Sequence, residues 1–178
     1  MLLRQAEKGT ITAEAARAMA ARVEVAGSVQ DLAQADIVIE AIFEDLGAKR
    51  KVFQALEANV RPDAILASNT SSLSVTAIAA GCQYRERVAG MHFFNPVPLM
   101  KLVEIVPGLA TSPDVSEALV ALAKRMGREP AVSADCPGFI VNHVGRAYAP
   151  EAGRLVAENI TGFSDVDRIM TGAPGFRL

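Results

Sequence analysis

Asp36-Ile37-Val38-Ile39-Glu40-Ala41-Ile42 is a short apolar run bracketed by acidic residues. Such a pattern suits a strand buried on both faces of a parallel sheet. The stretch behind it, residues 45–60, carries Leu46, Val52, Phe53 and Leu56 at helical spacing, and Arg61-Pro62-Asp63 ends that helix because proline cannot continue one. Ala64-Ile65-Leu66-Ala67 is then the next buried strand. The alternation carries on in both directions. Upstream, the spacing predicts a helix over 10–22 and a short strand over 23–25. Downstream, it predicts a helix over 75–80, strands over 87–93 and 101–106, a helix over 113–126 capped by Ser112 and closed by Gly127, and a strand over 129–133. Strands alternating with helices imply a mostly parallel, doubly wound α/β sheet, with its chemistry at the carboxyl ends of the strands.

Beyond Pro137-Gly138 the pattern turns purely helical. Residues 139–160 read as one long amphipathic helix, and Ser164 with Asp167 has the spacing of a capping box for another. The shift at residues 135–138 divides the chain into 1–135 and 136–178.

The composition narrows the function classes. Of 178 residues, 51% are hydrophobic and 21% charged, as in ordinary globular domains. A formal charge of -2 supplies no basic surface for nucleic acid. No apolar run reaches membrane-spanning length, and Met1-Leu2-Leu3 passes directly into Arg4, Glu7 and Lys8, unlike a secretory leader. Cys82 and Cys136 stand far apart with no other cysteine; neither a disulfide framework nor a cysteine zinc site is expected, and a reducing cytoplasm is the default.

Four stretches carry chemistry. His92, in Met91-His92-Phe93-Phe94-Asn95-Pro96, is followed by Glu104 on the succeeding strand. A carboxylate beside a histidine orients the ring and stabilises its imidazolium, which suits a general base near neutral pH. The other reading is a histidine satisfied at a strand end. Ser68-Asn69-Thr70-Ser71-Ser72-Leu73 follows a buried strand and sits at its ligand-facing edge, either as a polar loop capping the next helix or as a binding loop. Glu40 and Glu44 bracket a strand end with Lys49 about a turn further on; ordinary surface charge is the plain reading. Pro137-Gly138-Phe139-Ile140-Val141-Asn142 opens the long helix, where Asn142 either presents an amide to a ligand or bonds backbone. The distant pair His92 and His143 is not a metal pair, so no metal is expected.

Together, Ala35 to Ala41, Ser68 to Leu73, His92 to Glu104 and Pro137 to Asn142 resemble the 3-hydroxyacyl-CoA dehydrogenase family, in order and spacing, over the chain from Leu3 onward. The resemblance implies an incomplete Rossmann-like doubly wound sheet followed by the start of an all-helical C-terminal domain. It further implies NAD-dependent oxidation of an L-3-hydroxyacyl-CoA to the 3-oxoacyl-CoA, and the reverse. In those terms His92 is the base, paired with Glu104. Ser71 touches substrate oxygen and cofactor, and Asn142 binds on the substrate side. Glu44, Lys49 and Asn95 match positions that touch NAD, and Lys8 corresponds to a lysine near the CoA phosphates. An acyl-CoA is the implied small-molecule partner, and the complete family enzyme is expected to be a homodimer.

This chain departs from the family pattern in places. His143 stands where the family usually has arginine, and no Gly-x-Gly-x-x-Gly turn for the cofactor pyrophosphate occurs anywhere in the sequence. After Gly175-Phe176-Arg177 the family's further helices do not follow. The expectation is an internal piece of a longer dehydrogenase with weak or no NAD affinity by itself. Two alternatives follow: a non-catalytic acyl-CoA-binding or structural fragment, and a related hydroxy-acid dehydrogenase that does not use CoA.

Overall fold

The computed structural model describes residues 2–172; the closing run Gly175-Phe176-Arg177-Leu178 lies outside them, as does Met1. Two short helices, α1 (Leu2–Glu7) and α2 (Ala13–Ala20), come first. Thr12 starts α2 by accepting from the N–H of Ala15, so the helix expected from residue 10 begins one cap later. The strand expected over 23–25 does not form. Val23 and Val25 are exposed, and the chain instead makes a capping box in which the N–H groups of Gly27 and Ser28 donate to Asp31 ahead of a 3-10 turn, Val29–Leu32.

Then the alternation begins: β1 (Ile37–Glu40), α3 (Leu46–Asn59), β2 (Ile65–Ser68), α4 (Val75–Ala79), β3 (Val88–Phe93), β4 (Leu102–Pro107), α5 (Pro113–Arg125) and β5 (Glu129–Val132). The five strands lie in the order β1-β2-β3-β4-β5. β1–β2, β2–β3 and β4–β5 are parallel; β3–β4 is antiparallel, because the connection between them has no crossover helix.

Alternate residues of the strands supply two cores. Leu66, Val88 and Val106 face α3 and α4, meeting Phe53, Leu56, Val75 and Ile78. Ala67, Ala89, Met91, Val103 and Ile105 face α5, meeting Val115, Leu119 and Ala123. β2 is buried along its whole length, as its apolar run requires. β1 is not, which corrects the reading of Asp36 to Ile42 as a strand buried on both faces: among the described residues β1 lies at the edge of the sheet, Ile37 and Val38 are half-buried, and Ile39 is 38% exposed.

Gly90 is required by packing. A Cβ there would lie 2.9 Å from Val106 Cβ and 3.0 Å from Val75 Cγ2, so only a residue without one lets α4 and β4 close onto β3.

After β5 the chain is helical: α6 (Val141–Ala157) and α7 (Phe163–Gly172). Ser164 lies inside the first turn of α7 rather than at its cap, which corrects the expected capping box; the hydroxyl of Thr161 bonds Asp165 instead. No helix among the described residues is long and apolar enough to cross a membrane.

Candidate active site at the carboxyl edge of the sheet

β1, β2 and β3 all end at the same edge, and they end in Glu40, Ser68 and His92-Phe93. Because β4 runs the other way, its early residues come to this edge, and Glu104 pairs directly across the ladder with His92. Side chains on directly opposed positions share a face of the sheet. The two meet with His92 Nδ1 2.7 Å from Glu104 Oε2, at side-chain exposures of 5% and 0%. The expected pair is therefore built by strand register alone.

Glu104 has a second task. Its Oε1 accepts from the N–H groups of Ile140 and Val141, both at 2.9 Å, so one carboxylate satisfies the orphan donors at the start of α6 while it holds the histidine. An ionised carboxylate can only accept, so with Glu104 ionised Nδ1 of His92 carries the proton toward it. Among the described residues Nε2 makes no hydrogen bond, and it is not sealed from solvent. The ring is walled by Phe94, with centroids 4.5 Å apart, and by the edge of Phe139 at 5.7 Å.

Phe139 reaches that position through an unusual backbone. Gly138 has φ 79° and Phe139 has φ 49°, two successive left-handed residues that reverse the chain before α6. A side chain at Gly138 would press on His143 N at 3.1 Å, so the glycine is obligatory on both counts. Phe139 tolerates this strained region because its ring is 3% exposed in the core.

The Ser68-Asn69-Thr70-Ser71-Ser72 loop is fixed from below by Glu44. Its Oε1 accepts from Thr70 Oγ1 (2.5 Å), Ser71 N (2.9 Å) and Ser72 N (3.2 Å), while Oε2 lies 3.4 Å from Lys49 Nζ. Burial pushes the Glu44 carboxyl up, but the Thr70 hydroxyl, the Ser71 N–H, the Lys49 charge and the Ser72 N–H outweigh it and hold it below the usual glutamate value. The loop meets α6 where Asn142 Nδ2 donates to the carbonyl of Ser71, 3.2 Å. The Ser71 side chain is exposed and, among the described residues, its hydroxyl carries no hydrogen bond.

His92, Glu104, Ser71, Asn142 and Glu44 are thus brought into one region. Lys49 is 1% exposed, with its ammonium engaged by Glu40, Glu44 and the carbonyl of Ile42. Asn95 is exposed in the turn after β3. Lys8 is exposed in the turn after α1, joined through its backbone to Arg4 and not to this cluster. His143 is also exposed, with Nδ1 3.2 Å from the carbonyl of Pro137.

Three contributors escaped the sequence reading. Glu40, taken there as surface charge, is 4% exposed. Asn69 Oδ1 accepts from Phe93 N at 2.8 Å, pinning the residue after His92. Asp135 accepts from Ser74 Oγ, Val75 N and Thr76 N, tying the linker before α6 to the start of α4. A short acidic residue just ahead of Pro-Gly was the available signal for Asp135; Glu40 showed only as a charge at a strand end, and Asn69 gave no sign of its own, since both act across the sheet.

As for cofactors, the free Ser71 hydroxyl and the exposed Asn95 amide suit the reactive end of a dinucleotide at a strand edge. Residues 1–178 hold no Gly-x-Gly turn for its pyrophosphate. Among the described residues, no cluster of three or more His, Cys, Asp or Glu is placed to hold a metal ion.

Comparison with known proteins agrees with this geometry. The family model for the 3-hydroxyacyl-CoA dehydrogenase NAD binding domain matches residues 1–136, and the model for the same family's C-terminal domain matches 138–178. The chain is 43% identical to 3-hydroxyadipyl-CoA dehydrogenase of Escherichia coli K12 over 96% of its own length and 36% of that protein. It is also 43% identical to a probable 3-hydroxybutyryl-CoA dehydrogenase of Bacillus subtilis, over 95% of its length and 59% of the relative. The crystal structure of (S)-3-hydroxybutyryl-CoA dehydrogenase from Ralstonia eutropha superposes with a TM-score of 0.94 at 36% identity, covering 98% of this chain and 62% of that one. The chain therefore spans only part of each of these relatives. With the whole sheet, the His92–Glu104 register and both family models in agreement, the chain belongs to the 3-hydroxyacyl-CoA dehydrogenase family.

Proposed function

We propose that this chain carries the proton-transfer half of an NAD-dependent L-3-hydroxyacyl-CoA dehydrogenase, with residues 1–135 as the sheet unit and 136–178 as the start of a helical one. The observation that carries the reading is the buried His92–Glu104 pair with Nε2 of the histidine left open. NAD, when bound, would supply the acceptor for the hydride of the carbinol carbon. His92 Nε2 accepts the proton of the 3-hydroxyl, and Glu104 stabilises the imidazolium that results. Ser71 donates its hydroxyl to the substrate oxygen, and Asn142, anchored on the Ser71 carbonyl, contacts the same side. Asn95 and Glu44 serve the cofactor side, Lys49 acts there from beneath by holding Glu44, and Lys8 serves the CoA phosphates. The protein acts in the cytoplasm, and the complete enzyme is a homodimer.

In the complete enzyme, His92→Gln is expected to lower turnover of acetoacetyl-CoA with NADH by orders of magnitude while the fold, read by circular dichroism, stays intact. Near-normal turnover would remove His92 from its role. Free hydroxy acids serving as well as CoA thioesters would instead favour the CoA-independent relative.

A further inference from the structure

We propose that Glu40 is a positioning residue, whose buried carboxylate sets the conformation of the 68–72 loop, and with it Ser71, from beneath the carboxyl edge of the sheet. Every acceptor position of this residue leads toward the edge. Oε1 accepts from Ile42 N at 2.6 Å and from Lys49 Nζ at 2.8 Å. Oε2 accepts from Ser68 Oγ at 2.7 Å, and the backbone carbonyl accepts from Asn69 N at 2.8 Å.

Two routes run from this carboxylate into the loop. Along the first, Glu40 holds Lys49, Lys49 holds Glu44, and Glu44 holds Thr70, Ser71 and Ser72. It is a line of alternating charge that ends on neutral donors, so the second carboxylate is balanced by the loop itself. Along the other, Ser68 Oγ donates to Glu40 and accepts from Thr70 N at 3.2 Å. The carboxylate thereby fixes which way the Ser68 hydroxyl points.

Stability alone is a poor account of this arrangement. A buried ion pair is often matched or exceeded by apolar side chains of similar volume, and the cores on either side of the sheet are built from just such residues. What apolar packing cannot do is orient hydroxyl and amide donors at an edge.

A glutamine cannot replace the carboxylate, since it has one accepting oxygen. With that oxygen toward Ile42 and Lys49, its NH2 meets Ser68 Oγ and reverses the second route. Turned over, the NH2 faces the Lys49 ammonium and the Ile42 N–H, and the first route is lost.

The functional meaning of the proposal rests on the role given to Ser71, but its test does not. The isotope-labelled chain is compared with E40Q, E40Q/K49M and a core control, L119A, on the opposite face of the sheet, by amide chemical shift and hydrogen exchange. Expected in E40Q and in the double variant are displaced Ser71 and Ser72 amide resonances that exchange about tenfold faster than wild type, relative to the amides of β3. L119A should lower the melting temperature without that local change. A K49M single variant measures what loss of the Lys49–Glu44 contact alone does to the loop, and the effect of Glu40 is the further movement of the Ser71 and Ser72 amides in E40Q/K49M beyond K49M; if E40Q does not fold, that difference decides. Unmoved Ser71 and Ser72 amides in the folded Glu40 variants, or equal movement in L119A, would overturn the proposal. Failure of Ser71→Ala to slow the acyl-CoA reaction would instead strike the proposed function and leave the loop result standing.

Discussion

Glu104→Gln separates the two tasks of one buried carboxylate. The wild-type side chain accepts three hydrogen bonds, from His92 Nδ1 and from the N–H groups of Ile140 and Val141. A glutamine of the same shape offers one accepting oxygen. Turning that oxygen to α6 keeps two bonds, whereas turning it to His92 keeps one and sets an NH2 against two N–H donors, so the first orientation wins. The amide NH2 then faces Nδ1, which must give up its proton, and the imidazole switches to the Nε2–H tautomer. That tautomer has no lone pair where the substrate proton has to go. In energy, hydrogen bonds to an ionised group are each worth about 1.5–3 kcal/mol and neutral ones about 0.5–1.5. Two weakened bonds and one inverted bond amount to a loss of roughly 2–4 kcal/mol, against a total stability on the order of 5–15 kcal/mol for a domain. Urea unfolding measures the loss by linear extrapolation, and nitrogen-15 NMR of the imidazole reads the tautomer directly. If Glu104→Gln leaves Nδ1 protonated and stability within about 0.5 kcal/mol of wild type, a change typical of an uninvolved surface site, the assignment of a shared carboxylate is wrong.

Gly90→Ala should destabilise the chain by about 1–3 kcal/mol through overpacking against Val106 and Val75, read as a lower urea midpoint at unchanged slope; an unaltered midpoint would show that α4 and β4 can separate freely. Asp135→Ala removes the acceptor for Ser74 Oγ, Val75 N and Thr76 N and should cost about 1–2 kcal/mol, as the loss of a helix cap does, with faster amide exchange at Val75 and Thr76 than in β2. Acid should weaken the fold through Glu44 and Asp135. Burial raises both carboxyls, yet bonds from the 70–72 loop with Lys49, and from Thr76, Val75 and Ser74, hold them below their ordinary values of 4.5 and 3.8. A depressed folded-state value contributes stability that is present above the unfolded value and lost as pH falls through the folded one. Melting temperature should therefore decline as pH drops below those values, and more shallowly in Glu44→Gln and Asp135→Asn; variants with the wild-type slope would exclude these two groups as its source.

The elements that local pattern controls were legible in the chain. Phe53 and Leu56 at helical spacing behind Asp45 did form α3, with Asp45 accepting from Ala48 N as its cap, and Ile65 to Ala67 did form a strand buried on both faces. Val23 to Val25 carried β-branched residues but have no neighbouring strand among the described residues, and a strand without a partner leaves its backbone groups to water. β1 shows the same dependence in milder form: the apolar run makes a strand, but its burial is set by what lies beside it. Local pattern also misread Ser164, which lies inside the first turn of α7, while the Thr161 hydroxyl bonds the Asp165 carboxylate.

The site divides along the same line. His92 and Glu104 were visible as a pair because antiparallel register between consecutive strands is a local property, twelve residues apart. The contacts that hold that pair to the rest of the molecule are long-range. Glu104 reaches Ile140 across 36 residues, and Asp135 reaches Val75 across 60. These two carboxylates act in opposite directions: one from the sheet caps the helix that follows the linker, and one from the linker caps a helix packed on the sheet. Each satisfies donors that would otherwise be orphaned at a helix start. Two such anchors, placed on either side of the Gly138–Phe139 reversal, fix where α6 begins and hence where Asn142 meets Ser71. The same carboxylate that holds the His92 ring therefore also sets the distance from the histidine's sheet to the substrate-side amide, so a perturbation of helix placement at α6 must reach the hydrogen bond that orients His92.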